Sequence, residues 1–283
     1  MTWSPARASR GCELDGRMNL PLDSLRTLAL RELSRADAAP LFVTISGAHL
    51  YGFASHDSDF DVRACHLLPL RRVLSLAPRE ETIEHSSVED GREIDFVSHD
   101  AGKFFRMMLK KNGYVMEQVF SPLVVCGGPA LDELRPIARG CITKHIYHHY
   151  RGFSENELDF LRKDPEKKIK RLLYVYRVLL SGIHVLRTGE IEANLPRLLE
   201  LHPQVGVEEL IATKAREGEA LAGDALARHE AAVDRLRAGL TEAFERSSLP
   251  EEPARAGDLD GFLVRLRLAT PPSSAPGTAR TPA

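Results

Sequence analysis

The spacing of apolar residues changes at about His99, and this change limits the folds that the chain can adopt. Before His99, short runs alternate between apolar and polar residues, as half-buried β-strands do. After His99, apolar residues recur every three or four positions, which is typical of amphipathic α-helices. Strands followed by helices predict an α+β protein, in which a small mixed-sheet domain precedes a helical C-terminal domain.

The part before His99 is predicted to contain one helix and three or four strands. Leucines at helical spacing favour the helix, and β-branched and aromatic residues favour the strands. Asp90 and Gly91 separate the last two runs, and Asp-Gly suits a tight hairpin turn because both residues tolerate positive φ. The predicted helix and strands cover residues 22–33, 40–46, 59–68, 81–88 and 92–98.

Helices are predicted for most of the chain beyond His99. The clearest lies within residues 167–190, where apolar positions follow the helical period and Gly189 can end the helix. Ser98 or Asp100 can cap the first helix after the strands. The other predicted helices fall at residues 99–112, 113–120 and, as a pair, at about 207–247.

The domain limits follow from these patterns. We expect a disordered leader at residues 1–20, because this segment lacks the apolar core of a signal peptide. The mixed-sheet domain is expected at 21–128 and the helical domain at 129–268. Residues 269–283 are rich in Pro, Ser and Thr, which predicts a disordered tail.

Charge and cysteine content restrict the function classes. The net charge of −2 gives no overall attraction to nucleic acid or anionic membranes, so any polyanion site must be a local patch. No apolar run approaches the roughly 20 residues of a membrane span. The 4 cysteines show no CxxC spacing, which argues against a zinc site or a disulfide scaffold. We therefore expect reduced thiols and a cytoplasmic protein that does not bind membranes.

Two acidic residues open the strand at 59–68. In a strand, residues two apart point to the same side, so Asp59 and Asp61 are expected to project together. Two adjacent carboxylates repel each other unless a cation lies between them, and Mg²⁺ prefers such oxygen ligands. Asp95 lies between two apolar residues of the later strand and is the expected third ligand. The alternative is an acidic strand end on the surface.

A glycine turn precedes this acidic strand. Ser46 and Gly47 follow the strand at 40–46 and precede a predicted helix. Glycine allows the main chain to approach a phosphate closely, and a helix N-terminus favours anions. The turn and the acidic residues together predict a site for a metal-bound nucleotide.

The combined pattern resembles the DNA polymerase β-like nucleotidyltransferase superfamily. That superfamily has hG[GS], nine to thirteen residues, and then Dh[DE]h. Here Ser46-Gly47-Ala48 is followed by 10 residues and then by Asp59-Phe60-Asp61-Val62. The chain is most similar to the YcgL-like predicted nucleotidyltransferases, through "GAHLYG", "SDFDVR", "EIDF" and "KFFRMMLKKNGYVMEQVFSP". The similarity is clear over about residues 40–125 and weaker in the helix that contains "KRLLYVYRVLLSG".

The resemblance implies roles for the acidic residues and the turn. Asp59 and Asp61 would bind two Mg²⁺ ions, and Asp95 would bind the catalytic ion and could accept the proton of the acceptor hydroxyl. Ser46 and Gly47 would approach the β- and γ-phosphates. Ala48 stands where the family usually has Ser, so one expected hydroxyl contact to phosphate is missing.

Three further residues are candidates for nucleotide binding, each with an alternative. His49 could contact phosphate or cap the short helix, or it could serve local packing. Arg63 could neutralise the triphosphate, or it could pair with the aspartates. Lys111 could touch nucleotide or acceptor, or it could belong to a solvated helix face.

The resemblance therefore implies a Mg²⁺-dependent nucleotidyltransferase. Such an enzyme would move an NMP from an NTP, with ATP as the expected donor, to an acceptor hydroxyl and release pyrophosphate. The acceptor stays open among an RNA or DNA end, a protein side chain and a small molecule. The alternative is a non-catalytic nucleotide-binding or antitoxin-type regulatory protein, which Ala48 favours and the retained aspartates disfavour.

Overall fold

A computed structural model describes residues 21–76, 80–89, 91–166, 168–216 and 223–269, with only the main chain at 223–226. Most of the predicted leader and tail lies outside these residues, and so does Asp90 of the predicted hairpin turn.

A mixed five-stranded sheet forms the first half of the protein, in the order β3-β4-β2-β1-β5. The pair β2 and β4 is parallel, and the other neighbouring pairs are antiparallel. The strands are β1 (Ala39–Ile45), β2 (Phe60–Leu67), β3 (Thr82–Glu89), β4 (Arg92–Asp100) and β5 (Val124–Cys126). The four strands predicted before His99 are confirmed. The three-residue edge strand β5 was not predicted, because so short a run has no readable period.

Helices pack against the sheet and make up nearly all of the described second half. The first half contains α1 (Leu22–Arg35), α2 (Gly47–Tyr51), α3 (Leu70–Leu74), α4 (Ala101–Leu109) and α5 (Gly113–Phe120). The second half contains α6 (Pro129–Arg139), α7 (Tyr147–Lys163), α8 (Ile169–Thr188), α9 (Leu195–Leu201), α10 (Val207–Ala215), α11 (Gly223–Glu245) and α12 (Ala256–Ala269). The α+β class predicted from the sequence is confirmed.

The predicted ends of several helices have a visible cause. The Asp100 carboxylate accepts a hydrogen bond from the main-chain N–H of Gly102 and so caps α4. Asn112 caps α5 in the same way, through the N–H of Tyr114. At the other end of the long helix α8, Gly189 adopts φ 75° and ends the helix as predicted.

Helix α8 is the centre of the helical half. Most of its side chains are buried on all sides, against α7, α9, α10 and α11. Its buried residues belong to the same continuous hydrophobic core as those of the sheet. The domain limit at residue 128 stays a prediction. Within the described ranges, no helix is both long enough and apolar enough to cross a membrane.

Candidate active site

The glycine turn lies directly against Asp61. Strand β1 ends at Ile45, and the Ser46 N–H donates to the Asp61 carbonyl at 2.8 Å. Gly47 follows with φ 60°, and a Cβ at this position would lie 1.7 Å from Asp61 Oδ2. Only glycine fits here, because a side chain would collide with the carboxylate and would also strain the main chain. The turn and the acidic strand predicted as one site are therefore in contact.

Asp61 and Asp95 are neighbours across the parallel pair of strands. They are register partners of β2 and β4, so both side chains leave the same face of the sheet. The side chain of Asp61 is 20% exposed and that of Asp95 is 43% exposed. The fold therefore brings together two of the three predicted metal ligands beside the glycine turn.

Arg63 joins the two carboxylates. Its Nη2 donates to Asp61 Oδ1 at 2.6 Å and to Asp95 Oδ2 at 2.8 Å. Its Nη1 donates to the carbonyls of Val62, at 3.1 Å, and of Asp95, at 2.6 Å. Its Nε donates to the Tyr114 hydroxyl at 2.5 Å. Of the two alternatives that the sequence leaves open, this geometry corresponds to the pairing of the aspartates.

Burial and neighbouring charges shift the pKa values of Asp61 and Arg63. Burial raises the pKa of Asp61, the charge of Arg63 opposes this, and the nearby carboxylates of Asp59 and Asp95 raise it further. The pKa of Arg63 is also raised, because the Tyr114 contact and the two aspartates together outweigh its burial. The site thus holds more negative charge than one guanidinium compensates.

Asp59 acts electrostatically both on Asp61 and on residues of the helical half of the protein. Its charge raises the pKa of Asp61 and also acts on Lys214 of α10 and Tyr174 of α8. Lys214 Nζ donates to the Ser55 hydroxyl at 2.9 Å, in the loop before Asp59. The sheet and the helical half therefore face each other across the acidic loop.

Two lysines from the helical half contribute positive charge here. Burial lowers the pKa of Lys214, and the charge of Lys170, at the start of α8, lowers it further. The charge of Lys170 also opposes the rise in the pKa of Asp61 that burial causes. Among the described residues, neither ammonium group has a carboxylate within ion-pair distance. From the sequence alone, the basic run at residues 162–177, which includes Lys170, could either hold phosphates and stacked bases or form the charged outer face of a helix. Lys214 was missed because its relation to Asp59 is purely tertiary.

His49 is packed inside the site. Its ring stacks on Phe60 with 4.5 Å between centroids and an interplanar angle of 6°. Neither ring nitrogen has a well-formed hydrogen bond to the described residues, although the Ser58 main chain is near enough to act on its pKa. Burial lowers that pKa and so favours the neutral imidazole. The contacts are those of the packing alternative, with unpaired nitrogens that remain able to bond a ligand.

The remaining candidates are less directly placed. The Ser46 hydroxyl is buried beside Tyr114 and makes no well-formed hydrogen bond within the described ranges. Ala48 is 2% exposed, so a hydroxyl here would be enclosed by the core. Lys111 adopts φ 66° between α4 and α5, and no hydrogen bond or ion pair of its ammonium group is found in the described part of the chain.

The donor set suits a hard cation. Asp61 and Asp95 supply the carboxylate oxygens that Mg²⁺ prefers, and the guanidinium of Arg63 shows that positive charge is favoured between them. Because Gly47 has no side chain, the Asp61 carboxylate can lie directly against the main chain of the turn. In the described ranges, no three His, Cys, Asp or Glu side chains are gathered around one ion position. Asp59, the remaining predicted ligand, acts on Asp61 through its charge without completing such a set.

A buried ion pair links the site to the helical half, and the sequence did not predict it. Arg177 of α8 donates through Nη1 to Glu117 Oε1 of α5 at 2.8 Å. The Arg177 guanidinium also lies over the Tyr51 ring, 3.9 Å from its centroid, at the end of α2. Glu117 lies in the family-like segment at residues 103–122, but its partner is 60 residues away and no local spacing indicates the pair.

A mixed sheet with neighbouring aspartates on its central strands and a glycine turn against them is the arrangement expected of a polymerase β-like nucleotidyltransferase. The family model described as "RlaP: RNA repair pathway DNA polymerase beta family" matches residues 25–265, and the chain belongs to this family. The family predicted from the sequence motifs is confirmed.

Two curated relatives match along most of their length. The uncharacterized protein MJ0002 of Methanocaldococcus jannaschii is 29% identical over 235 residues, which span 81% of this chain and 94% of the relative. The uncharacterized protein YcgL of Bacillus subtilis is 26% identical over 240 residues, which span 81% of this chain and 88% of the relative.

A crystal structure of a nucleotidyltransferase-like protein from Exiguobacterium sibiricum is also similar. It matches over 87% of this chain and 80% of its own, with 12% identity and a TM-score of 0.30. At this TM-score the similarity carries no argument about the site.

Proposed function

We propose that this protein is a Mg²⁺-dependent nucleotidyltransferase that moves an NMP from an NTP to an acceptor hydroxyl and releases pyrophosphate. One observation carries the proposal: Asp61 and Asp95 lie side by side on parallel strands, and the glycine turn closes directly on Asp61. The turn gives phosphate groups close access to the main chain, and the carboxylates provide the oxygen ligands.

The three aspartates would have two roles, metal binding and acceptance of a proton. Asp61 and Asp95, with Asp59 beside them, would hold the Mg²⁺ ions, which neutralise the charge that develops on the transferred phosphoryl group. Asp95 is the more exposed of the paired carboxylates, and it would accept the proton of the acceptor hydroxyl. Catalysis would then consist mainly of positioning and charge neutralisation.

The triphosphate would lie between the turn and the helical half. Ser46 and Gly47 bring main-chain groups to its β- and γ-phosphates. Lys170 and Lys214 carry charges that no described carboxylate pairs, and both act electrostatically on the acidic loop. These ammonium groups would balance the phosphate charge that the metal ions leave uncompensated.

The proposed donor is ATP, and the proposed acceptor is a hydroxyl at an RNA end. The family description names an RNA repair pathway, which favours RNA over DNA, a protein side chain or a small molecule. The net charge of −2 requires the RNA to bind through a local basic surface rather than through the whole molecule. Lys170 and Lys214, whose charges act on the site, would form part of such a surface.

A labelling experiment tests this function. Each of the four NTPs, labelled at the α-phosphate, is incubated with the protein, Mg²⁺ and, separately, short RNA, short DNA, total protein and a metabolite extract. We expect label from ATP to enter RNA, with equimolar release of pyrophosphate. ATP binding without label in any acceptor would instead support the non-catalytic alternative, and label in protein or metabolite would replace the RNA assignment.

A further inference from the structure

The guanidinium of Arg63 is held in place by hydrogen bonds to the protein. All three of its nitrogens donate hydrogen bonds, to two carboxylates, two main-chain carbonyls and the Tyr114 hydroxyl. The residue is 9% exposed. Turning it toward a phosphate would leave buried carbonyls without their donors, which is costly inside a protein.

The same contacts leave one oxygen of each aspartate without a hydrogen bond from Arg63. Arg63 Nη2 engages Asp61 Oδ1 and Asp95 Oδ2. Asp61 Oδ2 lies against the Gly47 main chain, where a side chain of residue 47 would otherwise be, and Asp95 Oδ1 receives only a long hydrogen bond of 3.3 Å from the Ser86 hydroxyl. A single nitrogen thus sets the rotation of both carboxylates.

We propose that Arg63 is a positioning residue that orients Asp61 and Asp95 toward the metal ions, with Tyr114 fixing the guanidinium in turn. This inference rests on the proposed function, since it assigns the orientation of that site's metal ligands. Residues that hydrogen-bond to metal ligands fix the orientation of those ligands and so affect metal affinity and activity. Arg63 orients Asp61 and Asp95 in this way, through its hydrogen bonds to both carboxylates, and does not bind the triphosphate.

Arg63 should affect metal binding and turnover in opposite directions. Its charge lies beside the bound cation and weakens the cation's affinity, because like charges a few ångströms apart repel even at a partly exposed site. Its fork geometry aligns the carboxylates and so promotes turnover. A residue that serves only folding would produce neither effect.

Two substitutions at Arg63 separate charge from geometry. Mn²⁺ is titrated calorimetrically into each form, and kcat and KM for the NTP are measured. Arg63→Lys keeps the charge and loses the fork, so we expect Mn²⁺ affinity close to that of the unaltered protein and kcat about 100-fold lower. Arg63→Gln loses both, so Mn²⁺ should bind on the order of tenfold more tightly while kcat falls similarly. KM should change little in either.

Two further variants distinguish the proposed role of Arg63 from a general folding defect. Tyr114→Phe removes only the hydroxyl that holds Arg63 Nε, and it should lower kcat about tenfold with unchanged Mn²⁺ affinity. Arg267→Gln is the matched control, because Arg267 is also a buried arginine paired with an aspartate, Asp100, away from the site. It should lower the melting temperature and leave Mn²⁺ affinity unchanged.

The outcomes separate this inference from the proposed function. A large rise in KM with unchanged kcat in Arg63→Gln would make Arg63 a triphosphate ligand and overturn the inference. Unchanged Mn²⁺ affinity and kcat in all three site variants would also overturn it, and the nucleotidyltransferase assignment would stand. If the unaltered protein binds Mn²⁺ but transfers no nucleotide, the proposed function fails, and the Mn²⁺ titrations still test whether Arg63 opposes the metal.

Discussion

Arg177 and Glu117 form an ion pair inside the protein, with Nη1 2.8 Å from Oε1 and side chains only 4% and 1% exposed. The pair connects α8 of the helical half to α5 beside the sheet. Within the described ranges, Arg177 Nε and Glu117 Oε2 have no hydrogen-bond partner, so the pair is satisfied only in part. Each charge therefore depends on the other for most of its compensation.

Removing either partner should destabilise the fold strongly. Arg177→Met or Glu117→Gln alone is expected to lower the free energy of unfolding by about 3–5 kcal/mol, because the remaining charged or polar group loses its compensation. The double variant should recover part of this loss. Urea unfolding measures all three, and single variants within about 1 kcal/mol of the unaltered protein would show that the pair is not structural.

The contact between Gly47 and Asp61 predicts a second effect. Gly47→Ala adds the strain of a left-handed residue, about 1–2 kcal/mol, and a methyl group in the space of Asp61 Oδ2. We expect the carboxylate to be displaced, with loss of Mn²⁺ binding and of turnover.

Gly91→Ala is the control for this variant. Gly91 also has positive φ, at 76°, but a Cβ there would meet no atom within 4 Å. This change should cost stability without altering Mn²⁺ binding. Equal Mn²⁺ affinity in the two glycine variants would contradict the close approach.

Stability should fall on mild acidification, partly through His66. Its side chain is fully buried, and burial lowers its pKa to about 4 from the ordinary value of 6.5. Between these values the unfolded chain binds a proton that the folded protein does not, so the free energy of unfolding decreases as the pH falls. At pH 5 this amounts to about 2 kcal/mol relative to pH 7.5.

Urea unfolding at the two pH values tests this account. His66→Gln should flatten the pH dependence by about the same 2 kcal/mol, whereas the exposed residue His56, changed to Gln, should leave it as it is. A His66→Gln variant with the full pH dependence would mean that other groups cause it.

The sequence predicted those features that have a local pattern. The alternation of residues 40–98 predicted four strands, and the motif around Asp59 and Asp61 predicted the family. The pairing of Asp61 with Asp95 needed the order of strands, which alternation does not contain. Asp95 was predicted as the third ligand of the site, but its direct pairing with Asp61 follows from β2 and β4 being parallel neighbours in register.

The features that the sequence could not predict depend on distant partners. Arg63 had two open roles because either a phosphate or an aspartate satisfies a guanidinium, and only the positions of Asp95 and Tyr114 distinguish them. Lys214 meets the acidic loop from a helix more than 150 residues away. Such contacts carry no signal in local composition or spacing.

Nucleotide transfer by charge-neutralised variants tests the central claim most directly. Asp61→Asn and Asp95→Asn keep the shape of the side chains and remove the charges that the metal ions need. With ATP, Mg²⁺ and RNA, we expect each to lower the rate of pyrophosphate release by a factor of at least about 100. The exposed Asp132, changed to Asn, serves as control and should keep full activity. Asp61→Asn should remain folded, since burial already favours its neutral form. Folded variants that release pyrophosphate as fast as the unaltered protein would contradict the account.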